Sequence, residues 1–188
     1  MARFPSLPAT PQLGDVFTRF PDGVGALLEY HDVMLRGPSP LSVAQRELLA
    51  AYVSALNACR YCMGAHTIIA EIHGVPPGVL ESALADPSTP EVPRDMRPLL
   101  AYVRKLTEWP ARMTDADAEA VYAIGWNEAA LFHAISICAL FNFMNRIVEG
   151  CGVTAHQEAM TGVWERHRGL KNDPQTYRAF GRRLGITR

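Results

Sequence analysis

Apolar residues in this chain recur at helical spacing and almost nowhere alternate. A half-buried strand needs period-two alternation with clusters of Val, Ile and Thr, and neither is sustained here. Leu48, Leu49, Tyr52, Val53 and Leu56 follow the i, i+1, i+4, i+5, i+8 pattern of one helix face. Ser42, with Gln45 three residues later, forms a capping box that predicts where this helix starts. Asn57-Ala58 then reads as a break, and the next helix carries Cys59 in its first turn and runs to His73, with Gly74 as its stop.

The same punctuation divides the rest. A helix is expected near Gly23 to Leu35, ended by Gly37-Pro38-Ser39-Pro40. Pro76-Pro77 opens a short helix to about Ala85, and the proline-rich Asp86 to Pro93 reads as an internal linker. Further helices fall at Asp95–Glu108, at Asp115–Ile124 capped by Thr114, and at Glu128–Glu149 capped by Asn127 and closed by Gly150. The polar, basic tail from Thr154 has room for two short helices packing back. The expected fold is an all-α compact helical bundle, one domain over 1–188, with a motif core of about 40–152 flanked by an N-terminal arm and a C-terminal tail.

Composition removes several classes of function. A net charge of −1 leaves no basic footprint for nucleic acid or an anionic membrane. The proline-broken N-terminus lacks the apolar core of a secretory signal. Ala129 to Met144 is too short for a membrane span and reads as a buried central helix. The 4 cysteines are too few for a disulfide scaffold, so a reducing cytoplasm is expected. A close pair there is redox-active or metal-binding.

That pair is Cys59 and Cys62, three apart and so neighbours on one helix face, with His66 one turn further on the same face. Near a helix N-terminus, unpaired N–H groups and the dipole favour thiolate, the form that attacks an O–O bond. A second thiol then closes a disulfide, which limits over-oxidation and leaves a centre that a dithiol resets. Glu47 lies on the preceding helix. Without a βαβ pattern around the pair, a thioredoxin-like fold is excluded. A zinc site built on Cys59, Cys62 and His66 is the rival reading.

Glu47, Cys59, Cys62 and His66 satisfy Glu-x11-Cys-x2-Cys-x3-His. This resembles the core motif of the alkylhydroperoxidase D-like, carboxymuconolactone decarboxylase superfamily. The later Asn142-Phe-Met-Asn145-Arg146-Ile-Val-Glu-Gly150-Cys-Gly resembles a segment of its peroxidase-related branch. The resemblance implies a homo-oligomer, a trimer or hexamer, that reduces hydrogen or organic hydroperoxides without a bound cofactor and is reset by a dithiol donor. It implies Cys62 as the peroxidatic and Cys59 as the resolving cysteine, with Glu47 and His66 as a proton relay. Where well-studied members carry a histidine between the cysteines, this chain has Tyr61, a poor base near neutrality. The superfamily also contains decarboxylases acting on small organic acids, which need no cysteine pair. His133, Asn142, Asn145 and Arg146 read as structural polar groups, His133 with a pocket role kept open, and Cys138 and Cys151 as unreactive.

Overall fold

The computed structural model describes residues 3–187, and among them every regular element is helical. In chain order these are α1 (Leu13–Arg19), α2 (Val24–Leu35), α3 (Val43–Leu56), α4 (Arg60–Ile72), α5 (Val79–Ala85), α6 (Arg97–Glu108), α7 (Asp115–Tyr122), α8 (Glu128–Cys151), α9 (Gln157–Gly169) and α10 (Thr176–Arg183), with a 3₁₀ turn at Pro110–Arg112.

Helix α3 is the axis of the molecule. Ser42 Oγ accepts from the Gln45 backbone N–H and the Gln45 side chain accepts from Ser42 N, which starts the helix as the capping box requires. The pattern pointed to one buried face, yet every residue from Arg46 to Ser54 is buried. The reason is its position: α4, α5, α6 and α8 pack around it, and Ala50 and Ala51 are small enough to admit neighbours on the sides the pattern left polar. Tyr52, Leu49, Leu99, Leu100, Ile137 and Phe141 fill the surrounding core.

Other boundaries shift for local reasons. Pro76 and Pro77 precede α5, whose N-cap is Gly78 in the left-handed region at φ 87°. Asp86 to Pro93 is no free linker: Val92 is fully buried in the core and Arg97 ties Thr89 and Val92 through their carbonyls. Gly150 lies inside α8, and Gly152, at φ 76°, ends it. Helix α8 is long and apolar enough to cross a membrane, but 56% of its most apolar stretch is buried against the protein. Helix α1, which the apolar pattern did not announce, starts on a capping box between Gln12 and Asp15.

The tail does fold back. Helix α9 packs on α4 and α10 packs on α2. The Asp32 carboxylate accepts from the backbone N–H groups of Tyr177 and Arg178, the first-turn donors of α10 that have no partner within the helix. A Cβ at Gly181 would lie 2.7 Å from Leu28 Cδ1, so the α10–α2 contact is closer than any side chain allows.

Candidate active site

Between α3 and α4 the chain turns through Ala58, which adopts φ 55° although it carries a Cβ. That strained residue sets Cys59 as the N-cap of α4 rather than in its first turn, and places Cys62 three residues on. The two thiols are free. Cys59 is fully buried, whereas Cys62 keeps 4% exposure and opens on an internal cavity. The Cys62 side chain donates toward Cys59 and pulls the Cys59 thiol down, its backbone N–H adding to the effect against burial. The same hydrogen bond, with burial, pushes the Cys62 thiol far up. Of the reduced pair, Cys59 is therefore the more readily ionised, and Cys62 the one that needs a base to lose its proton.

Glu47 has no exposed surface, and three elements meet on its carboxylate. Arg36, at the end of α2, donates from Nη1 to Oε1 at 2.5 Å. His66 Nδ1 lies 2.5 Å from Oε2. The Tyr177 hydroxyl of α10 donates to Oε1 at 3.2 Å. Burial alone would raise the Glu47 carboxyl, but the Arg36 charge and then His66 win and hold it well below the ordinary carboxylate range. An ionised carboxylate only accepts, so the shared proton is on His66 Nδ1. In the neutral ring this tautomer turns the Nε2 lone pair away from Glu47, the form a base needs. No hydrogen bond joins His66 to either sulfur among the described residues; His66 and Cys62 meet as walls of one cavity.

The cavity has about 70 Å³ of room for the centre of a water molecule, enough for a few solvent-sized groups. Phe17, Ile69, Phe141 and Val163 make it apolar, and His31 and His167 complete it. Burial lowers His31 to about 4 and His167 to about 3, so both are neutral at physiological pH.

The sequence candidates divide accordingly. Glu47, Cys59, Cys62 and His66 come together, and Tyr61 joins the cavity wall with its phenol pushed up by burial. Asn145 receives the Asn57 amide at 2.9 Å, donates to Ser54 Oγ at 3.0 Å, and opposes the rise of the Cys62 thiol. Asn142 bonds Asn57, Thr107 and the Cys138 carbonyl, and Arg146 is an exposed donor to Asn142. Cys138 is buried beside Thr107 and Cys151 is half-buried at the end of α8. His133 does not line the cavity, and its buried Nδ1 has no partner among the described residues. Among the described residues no three His, Cys, Asp or Glu side chains are grouped to hold a metal ion. Sequence reasoning missed Arg36, Tyr177, His31 and His167. Arg36 carried one weak signal, a cation at a helix C-terminus.

Comparison with known proteins bears on this constellation. Residues 21–91, which span Arg36, Glu47, Cys59, Cys62 and His66, match the carboxymuconolactone decarboxylase family model. The chain is 25% identical to a protein from Ralstonia eutropha JMP134 described as an alkylhydroperoxidase AhpD core, an uncharacterized peroxidase-related protein. That match covers 80% of this chain and 79% of the other, with a TM-score of 0.72. The carboxymuconolactone decarboxylase match thus falls on the cysteine-bearing part of the chain, and the fold as a whole is similar to that of an alkylhydroperoxidase-like structure. An uncharacterized peroxidase-related protein from Silicibacter sp. TM1040 shares the fold, with a TM-score of 0.71 at 23% identity over 79% of this chain and 78% of that one. A search of curated proteins found no significant match. The stretch matching the superfamily's model stops short of α9 and α10, so Tyr177 and His167 lie outside it.

Proposed function

We propose that the chain is a thiol peroxidase that reduces hydroperoxides through Cys62 and Cys59 in a reducing cytoplasm. One observation carries the reading: Cys62 opens on an apolar cavity shared with a histidine whose tautomer a buried carboxylate fixes. Cys62 yields its proton to His66 Nε2 and attacks the outer oxygen of the hydroperoxide. The O–O bond breaks, Cys62 becomes a sulfenic acid, and the departing alkoxide takes the proton from His66. Cys59 then attacks the Cys62 sulfur, releasing hydroxide that is protonated to water, and the disulfide is reset by an external dithiol. Glu47 stays ionised throughout, so it acts as a positioning residue for His66 rather than as a carrier of the proton.

The alkylhydroperoxidase-like relatives and the spacing of the four residues support this assignment. The relay begins one step later than the resemblance implied, at His66. Mass spectrometry of the reduced protein after one equivalent of hydroperoxide should find a Cys59–Cys62 disulfide within seconds, and Cys62→Ser should abolish it. Both thiols remaining free would sink the assignment. Peroxide-insensitive turnover of a small organic acid, surviving loss of both cysteines, would move the His66–Glu47 pair to the decarboxylase reading that the family model's name suggests. The homo-oligomer, a trimer or hexamer, belongs to the same proposal and is read by light scattering.

A further inference from the structure

The cavity at Cys62 is apolar but not sealed, since Cys62 keeps 4% exposure. Shared walls mark the way out. Leu13, Tyr61, Arg166 and Phe180 line both this cavity and an outer basin of about 310 Å³. Each belongs to a different helix, α1, α4, α9 and α10, so together they form a rim. That rim has little room to widen. The Phe180 ring lies 6.4 Å from the Phe17 ring and 4.8 Å from the Arg166 guanidinium, and its Cζ is 3.7 Å from where a Cβ on Gly14 would stand. A Cβ on Gly64, one turn beyond Tyr61, would lie 3.1 Å from Met160 Sδ, so α4 and α9 already touch closely. Tyr61 differs from the other three rim residues. It also borders a third space, a basin of about 350 Å³ beside Ala58 and Arg60, so truncating its ring opens the rim instead of exposing packed core.

We propose that Tyr61 is a specificity-determining residue, which restricts the site to hydrogen peroxide and short-chain alkyl hydroperoxides. The proposal rests on the peroxidase reading and names the substrate class of that same site. An apolar cavity that takes a benzene ring has about 150 Å³, roughly twice the 70 Å³ beside Cys62. A peroxide group with a short alkyl group fits behind the rim. An aryl or long alkyl group has to lie across the rim while the outer oxygen reaches the sulfur, and the Tyr61 ring stands there. The outer basin offers such a group no compensation, because it sets Asp15 and Glu158 against the single cation Arg166. Neither a fatty acid's carboxylate nor its apolar chain is favoured on that surface.

The test is a ratio of rates. Stopped-flow oxidation of the reduced full chain is measured with hydrogen peroxide and with cumene hydroperoxide, and each rate is divided by that of a free small thiol. On this scale the bulky peroxide should be disfavoured about 30-fold. Tyr61→Ala should reduce that factor to about threefold or less, whereas Tyr61→Phe, which keeps the ring, should leave it unchanged. Leu13→Ala widens the rim from α1 and should shift the factor in the same direction as Tyr61→Ala. A change in the basicity of Cys62 or His66 moves both rates together, so the ratio reads the rim alone. Methyl and benzyl methanethiosulfonate supply a readout without peroxide. Cys62 takes the alkylthio group, methanesulfinate leaves, and Cys59 displaces the alkylthiol to close the disulfide. Mass spectrometry separates that product from labelling at Cys151, and the benzyl reagent should lag until Tyr61 is truncated. Bulky and small reagents at their free-thiol ratio in the unaltered protein, or Tyr61→Ala slowing both alike, would overturn the filter and leave the peroxidase reading intact. A Tyr61-dependent lag of the benzyl reagent without oxidation by any hydroperoxide would do the reverse.

Discussion

Replacing Arg36 with methionine tests the central electrostatic claim of the site. Methionine fills the volume of the arginine stem but removes the charge that opposes burial of Glu47. The Arg36 and Glu47 side chains are 3% and 0% exposed, so solvent cannot take over from the lost partner. Breaking such a pair costs about 3–5 kcal/mol. At roughly 2–4 °C per kcal/mol for a chain of this size, the melting temperature should fall by roughly 6–20 °C at pH 7. The pH dependence supplies the discriminating sign. In the unaltered protein the depressed Glu47 pKa contributes stability that is present above the unfolded value of 4.5 and lost as pH falls below it. In Arg36→Met, burial becomes the dominant influence and the pKa rises above 4.5. The cost is then full near neutrality and fades as pH falls toward that value. Urea denaturation of both proteins from pH 7 to 4.5 should show the stability gap narrowing steadily. A gap below about 1 kcal/mol at pH 7, or one that stays constant on acidification, would refute the account.

Three further outcomes follow from the same geometry. Gly181→Ala places a Cβ 2.7 Å from Leu28 Cδ1 and Thr187 Oγ1, and should cost about 1–3 kcal/mol, with hydrogen exchange rising first across Thr176–Arg183. Tyr177→Phe removes the hydroxyl donated to Glu47 and should lower stability by about 1 kcal/mol with an unchanged urea m-value. At Ala58, whose φ is 55°, glycine should be nearly neutral in thermal melting, whereas valine should cost about 1–2 kcal/mol although the position is exposed.

Local chemistry made much of the molecule legible. Ser42 and Gln45, Thr114 and Asp117, and Asn127 each start a helix with groups adjacent in sequence, so reading neighbours sufficed. The Cys59, Cys62 and His66 spacing likewise fixes one face of one helix. Burial of Ala50 and Ala51 was hidden because it depends on what surrounds α3, which the pattern of α3 does not encode. The partners of Glu47 were hidden for the same reason. Arg36 is 11 residues away, His66 is 19 and Tyr177 is 130, and only the last packing step brings the phenol to the carboxylate. A tail that looked polar and basic holds the cavity's His167, Arg166 and Tyr177.

That separation of 130 residues also sets a clock. A ribosome adding about 5–20 residues per second needs roughly 7–26 s to go from Glu47 to Tyr177. For most of that interval the nascent chain holds its cysteine pair, its histidine and its carboxylate without the helices that roof them. The thiols are made early and sheltered late, so a cell under oxidative stress meets this protein first in its least protected form.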